Sequence, residues 1–174
     1  MTPEELKKLF SEGVSVVGNA ESILQKKPMG EEIDSRPTIR FNWVKLENTE
    51  YTGSRKDCIC TGLPRRITDT GYSILIGRQN DARFNHFNYL EDMETTLRKK
   101  LGNKPSNGAR ILYLLDHMEI KDVHIYGFDW KETPSLAEKY MNKPQSTPES
   151  EHHDYKKEKD FSLELIEINN WKLH

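Results

Sequence analysis

The sequence predicts a single α/β domain with a mostly parallel central sheet flanked by helices, on three observations. Short β-branched or apolar runs recur at 14–17, 37–41, 57–60, 72–76 and 123–127, each bounded by Gly, Pro, Asp or Thr. Segments of helical period lie between several of them, the alternation that produces crossover connections and parallel pairing. The length of 174 residues suits one core, nothing marks a second, and the whole of 1–174 is read as one domain.

Each element has a local reason. Thr2, Pro3 and Glu5 read as N-cap, first-turn proline and capping-box acid of a short helix, whose apolar stripe is Leu6, Leu9 and Phe10. The run 14–17 is a buried strand that stops at Gly18 and Asn19, and 20–30 reads as a frayed helix. Strands follow at 37–41, 57–60 and 72–76. Leu90, Met93, Leu97 and Leu101 have helical spacing within 88–101, and Gly102 ends that helix. Ser106 caps the next, whose body carries Ala109, Ile111, Leu112, Leu114 and Leu115 before the strand at 123–127. The polar stretch 131–152, with Pro134, Pro144 and Pro148, reads as a short helix and then a mobile loop or lid. A helix over 155–166 and a short strand near Trp171 close the domain.

Composition narrows the function. Hydrophobic residues make up 34% and charged residues 31% with a net charge of −2, a folded chain with a polar surface. The 26 basic residues are interleaved with 28 acidic ones, so no nucleic-acid footprint is expected. No apolar run is long enough to span a bilayer and no apolar leader opens the chain, so a soluble, cytoplasmic protein is expected. Cys58 and Cys60 are read as strand residues facing opposite sides and unable to bridge, buried rather than metal-binding, as suits a reducing compartment. His86, His117, His124, His152, His153 and His174 lack the close spacing of a metal site, and no Asp-x-Asp stands at a strand end. No metal or other cofactor is expected.

Three constellations carry chemistry. Gly18 and Asn19 end one strand and Asn42 ends the next, which places both carboxamides at the carboxyl edge of the sheet, where α/β proteins bind ligands. Ser106, Asn107 and Gly108 open a helix whose N-terminal N–H groups suit a phosphate or carboxylate. His153 offers an imidazole able to take a proton near neutral pH. Taken singly, these residues are also a turn, an ordinary N-cap and a surface histidine.

Taken together, the segments VVGNAESIL, GEEIDS and IRFN within 16–42, PSNGARILYLLDHMEIKDVHIYGFDW over 105–130 and HDYKKE over 153–158 resemble the large, small and very small sialylmotifs of the animal-type sialyltransferases. The resemblance covers roughly half the chain. It implies a Rossmann-like, GT-A-like glycosyltransferase fold. It also implies metal-independent, inverting transfer of sialic acid, or another acidic sugar, from a CMP-activated donor to a glycan or glycolipid hydroxyl. Asn19 and Asn42 match the asparagines that contact the CMP phosphate and ribose, and Gly18 supports the first. Ser106 and Gly108 match the donor-binding small motif, Asn107 stands where the family usually has threonine, and Gly127 matches the motif's end.

The resemblance makes His153 the general base, with His152 as the competing assignment, and gives Glu158 an orienting role. Lys139 and Tyr140 are the nearest match to a histidine-aromatic motif that holds the donor phosphate. It further implies that leaving-group charge is met by the asparagines, the Ser106 helix N-terminus and a cation or tyrosine from 131–152. Asp34 and Arg40 match as a structural pair, and Val14 and Ile120 stand where the animal enzymes have a disulfide. The middle of the chain has no recognisable counterpart; Arg78, Asn80, Arg83, Asn85 and His86 read as a polar wall or a solvated loop. A CMP-sugar hydrolase and a non-catalytic CMP or CMP-sugar binding module are the alternatives.

Overall fold

The computed structural model describes residues 1–42, 47–68, 71–88, 91–140 and 153–174. Helix α1 (Pro3–Leu9) starts with the expected capping box, Thr2 accepting from the Glu5 N–H and Glu5 from that of Thr2. It leads into β1 (Val14–Val17), which is buried at every position, as a strand covered on both faces must be. A 3-10 turn, Glu21–Gln25, and α2 (Gly30–Asp34) fill the connection read as one frayed helix. Then come β2 (Thr38–Phe41), α3 (Thr49–Thr52), β3 (Cys58–Cys60), β4 (Ile74–Ile76) and β5 (Asn85–Phe87). The return half holds α4 (Glu91–Leu101), α5 (Asn107–His117), β6 (Val123–Tyr126), α6 (Leu136–Tyr140), α7 (Tyr155–Asn169) and β7 (Lys172–Leu173).

Among the described residues seven strands form one sheet in the order β5-β4-β3-β2-β1-β6-β7, and every strand pairing is parallel. The chain steps outward from β1 to β5, then crosses back to lay β6 on the other side of β1. The crevice above β1 and β6 is therefore the topological switch point. Alternate residues divide between faces. Val14, Val16, Ile39, Phe41, Val123 and Ile125 face the main core with α5 and α7 residues such as Leu112 and Phe161, whereas Val17 and Tyr126 face a smaller cluster with Ile33 of α2.

Several expectations are corrected. Cys58 and Cys60 share a face, because residues two apart on a strand point the same way; both are buried in the main core and neither is in a disulfide. Asn85 and His86 belong to edge strand β5 rather than to a loop or a pocket wall. Helix α7 runs on to Asn169, where left-handed Asn170 caps it. Of the expected lid, 131–140 carries α6, while 141–152, with His152, lies outside the described residues, as do 89–90 at the start of the expected 88–101 helix. Val14 and Ile120 are both buried in the main core. Among the described residues no helix is long and apolar enough to cross a membrane.

Candidate functional site

At the switch point the ends of β1 and β6 are joined closely. The Gly18 N–H donates to the Tyr126 carbonyl at 2.7 Å and that of Ala20 to the Gly127 carbonyl at 3.1 Å. A Cβ on Gly18 would lie 2.2 Å from the Gly127 carbonyl oxygen, and Gly127 itself has φ +63°, so both positions require glycine. Over this floor opens a cavity of about 650 Å³, and its lining includes Gly18, Asn19, Asn42, Ser106, Asn107, Gly108, Gly127, His153 and Glu158. Segments distant in sequence thus meet as the three constellations required.

The asparagines are fixed by backbone and by one another. Asn19 Nδ2 donates to the Phe41 carbonyl at 3.1 Å, which ties the end of β1 to that of β2. Asn42 adopts φ +57°, a left-handed conformation that asparagine tolerates better than most residues, and its Oδ1 accepts from Asn107 Nδ2 at 3.3 Å. Asn107 Oδ1 accepts in turn from Arg110 Nη1 at 3.0 Å. Arg110 is held from behind by Glu94, a buried carboxylate that also pairs with Arg78 at 2.7 Å and Arg98 at 3.3 Å.

The helix N-terminus and the histidine form the second wall. Ser106 Oγ accepts from the Ala109 N–H at 3.2 Å, the N-cap the sequence predicts, while the Ser106 N–H donates to Glu158 Oε1 at 2.7 Å. Gly108 lets α5 approach the Phe128 ring, since a Cβ there would meet Cε1 at 2.9 Å. His153 Nδ1 lies 2.8 Å from the Lys104 carbonyl oxygen, which can only accept, so the neutral ring carries its proton on Nδ1 and its lone pair on Nε2. Glu158 Oε1 is 3.7 Å from the same Nδ1. Burial, the largest influence on Glu158, holds its carboxyl above the ordinary glutamate range, against the lowering effects of Ser106 and Arg110. Asp154 caps α7 by accepting from the Lys157 N–H at 3.0 Å, which sets the start of the helix that carries Glu158.

Two expected residues stand elsewhere. Lys139 lies outside the cavity lining, its Nζ 2.8 Å from Glu21. Tyr140 ends α6, and its side chain lies outside the described residues. Lys131 does line the cavity, as do Lys104 and Arg110; it is held at 3.0 Å from Glu138, and both it and Trp130 before it are left-handed. Sequence reasoning also missed Tyr155, Arg110 and the segment Thr61, Gly62 and Leu63 after β3, all in the lining. Arg110, three residues after Asn107 on the same helix face, is the one that spacing signals. Arg78, Asn80, Arg83, Asn85 and His86 are not in the lining. Asp34 has the expected structural role, accepting from Ser54 and Arg55 N–H groups at 2.7 and 2.9 Å and lying 3.9 Å from Arg40.

No protein-family model matches the chain and no curated protein matches it by sequence. Solved structures do match by fold. A mammalian sialyltransferase in complex with Gal-beta-1-3GalNAc-ortho-nitrophenol aligns with a TM-score of 0.65 and 19% identity, covering 92% of this chain and 68% of that one. The sialyltransferase Cst-II in complex with CMP aligns with a TM-score of 0.57 and 12% identity over 92% and 79% of the two chains. CstII from Campylobacter jejuni with a substrate analogue, CMP-3FNeuAc, aligns at 0.53 and 11% over the same shares. At these identities the likeness is one of fold: this chain has a sialyltransferase-like α/β architecture.

Proposed function

We propose that the chain is a glycosyltransferase that moves sialic acid or a related acidic sugar from a CMP-activated donor to a glycan hydroxyl, with inversion and without a metal ion in the reaction. The observation that carries this reading is the convergence of Asn19, Asn42, the Ser106 helix N-terminus and His153 on one switch-point cavity. The fold shared with sialyltransferases solved with CMP and a CMP-sugar analogue supports the donor class.

In this reading the donor's nucleotide lies along the carboxyl edge, against Asn19, Asn42 and Asn107. His153 Nε2 takes the proton of the acceptor hydroxyl as its oxygen attacks the anomeric carbon. The bond from that carbon to the CMP phosphate oxygen breaks, and its electron pair leaves with the phosphate. Positive charge develops on the imidazole, which Glu158 faces, and negative charge on the phosphate. The N-terminus of α5 and Lys131, in the role expected of Lys139, meet that negative charge.

The test is turnover of CMP-sialic acid in the presence of glycan acceptors, for wild type and His153→Ala, with donor affinity measured in parallel. Loss of turnover with donor affinity retained supports the base role. Cleavage of the donor that is indifferent to acceptor identifies a hydrolase instead, and selective binding with no turnover in wild type identifies a binding module.

A further inference from the structure

On the sheet face opposite the main core, three side chains from separate parts of the chain meet: Glu32 of α2, His124 of β6 and His174 beyond β7. Strand register brings the histidines together. β7 lays Lys172 beside His124 and Leu173 beside Ile125, and the His174 N–H donates to the Ile125 carbonyl at 2.9 Å. His174 therefore falls next to Tyr126 and stacks on it, with ring centroids 4.3 Å apart and planes within 9°. His124, two residues before Tyr126, shares that face and stacks on His174 at 5.2 Å. Glu32 arrives from α2, its Oε1 accepting from the Tyr126 hydroxyl at 3.1 Å.

The ligating atoms converge on one point. His124 Nδ1 and His174 Nε2 are 3.0 Å apart, and Glu32 Oε1 is 3.8 Å from each. A proton shared between the imidazoles accounts for the first distance. The Tyr126 hydroxyl holds the carboxylate oxygen, which stands equidistant from both nitrogens and beyond hydrogen-bond reach of either. A tetrahedral divalent ion with bonds of about 2.0–2.2 Å sets its ligand atoms roughly 3.3 Å apart. The observed triangle brackets that spacing and encloses such an ion after shifts of about half an ångström.

The surroundings fit as well. Asp122 Oδ1 lies 3.2 Å from His124 Nε2, where a carboxylate behind a ligating imidazole accepts the proton of the far nitrogen; in that tautomer the lone pair is on Nδ1 and Lys172 donates to the carboxylate rather than to the ring. Lys172 Nζ sits 3.2 Å from that carboxylate oxygen and 3.2 Å from His124 Nε2, balancing the Asp122 charge. The Tyr126 hydroxyl supports Glu32 in the same way. His124 is buried, whereas the side chains of Glu32 and His174 are 39% and 22% exposed, so an ion can reach the cluster from solvent. Two imidazoles and one carboxylate are a donor set for zinc.

We infer that Glu32, His124 and His174 bind a zinc ion, with water in the fourth position, and so tie α2 and β7 to β6. None of the three lines the switch-point cavity, so the site stands apart from the proposed reaction. Zinc titration of chelator-stripped protein by calorimetry tests it, with Co²⁺ as a spectroscopic probe. One ion per chain is expected, with the visible absorption of four-coordinate Co²⁺, lost in His174→Ala and weakened at least tenfold in Glu32→Gln. His124 is buried and its replacement threatens folding, so the two more exposed ligands are the variants of choice, and circular dichroism checks each. If His174→Ala does not fold, Glu32→Gln decides. Absence of zinc binding by folded wild type, or binding unchanged in the folded variants, shows that the groups only share protons and overturns the inference.

Discussion

Replacing Glu158 with glutamine separates what the buried carboxylate does for the reaction from what it does to stability. Its side chain is 3% exposed, and burial, the largest influence, raises its carboxyl above the ordinary value of 4.5 although Ser106 and Arg110 lower it. A carboxyl raised in the folded state binds its proton more tightly folded than unfolded. Its stabilising contribution is therefore complete below about 4.5 and is lost as pH rises through the folded value. A rise of one pH unit in that midpoint is worth about 1.4 kcal/mol at neutral pH. Glutamine retains a carbonyl oxygen for the Ser106 N–H and has no charge to desolvate. E158Q should therefore match wild type at acid pH and gain on it as pH rises toward 7, by about 2–4 °C in melting temperature per kcal/mol for a chain of this size. Turnover should move the other way. An ion pair near 4 Å is worth up to about 4 kcal/mol at an effective dielectric of about 20. Loss of the carboxylate 3.7 Å from His153 Nδ1 is thus expected to lower the rate at least about tenfold. Melting curves of both proteins between about pH 4 and 8 provide the check. A stability difference that is flat with pH, or that favours the variant only at acid pH, refutes the reasoning.

Substitutions at three further positions follow from the geometry. His153→Ala should lower turnover by about 10²–10⁴ while CMP affinity stays within a few-fold, and an equal loss of both would assign His153 to binding instead. Asn42→Ala keeps a Cβ at φ +57° but loses the carboxamide that lets asparagine tolerate that region, a strain of up to about 1–2 kcal/mol, whereas Asn42→Gly removes carboxamide and Cβ together. Both should weaken CMP binding, and only the alanine variant should also lower the melting temperature on this account. Gly18→Ala drives a Cβ to 2.2 Å from the Gly127 carbonyl, a backbone atom that cannot move aside without opening the β1–β6 junction. A loss of about 1–3 kcal/mol and a fall of several degrees on melting are expected. An unshifted melting temperature would show the junction to be loose.

Most strands that were legible in the sequence lie in the covered part of the sheet, where β-branched and apolar runs such as Val14–Val17 leave little choice; the exposed edge β7 was legible only as a short strand near Trp171. Edge strand β5 was not, because Asn85–Phe87 buries only Phe87 fully and pairs with one neighbour, so no apolar run announces it. Helix α3 is a single turn, Thr49–Thr52, in which every residue but Glu50 has weak helix propensity. At the site, Gly18, Asn19, Asn42, Ser106 and His153 were legible through strand ends, a cap and motif spacing. Lys131 was not, since its place in the cavity depends on two successive left-handed residues that carry no glycine to signal them. The cluster of Glu32, His124 and His174 was invisible to spacing arguments. Its members are far apart in sequence, and only the β6–β7 register and the placement of α2 bring them together.

The central claim, a CMP-sugar donor site at the switch point, is tested most directly by calorimetric titration with CMP, with UMP and GDP as controls and EDTA present throughout. The account predicts saturable binding selective for CMP, indifferent to EDTA and weakened in Asn19→Ala and in Asn42→Gly. Absence of binding to CMP, or equal binding of all three nucleotides that is unchanged in both variants, would contradict it and reduce the likeness to sialyltransferases to a shared scaffold.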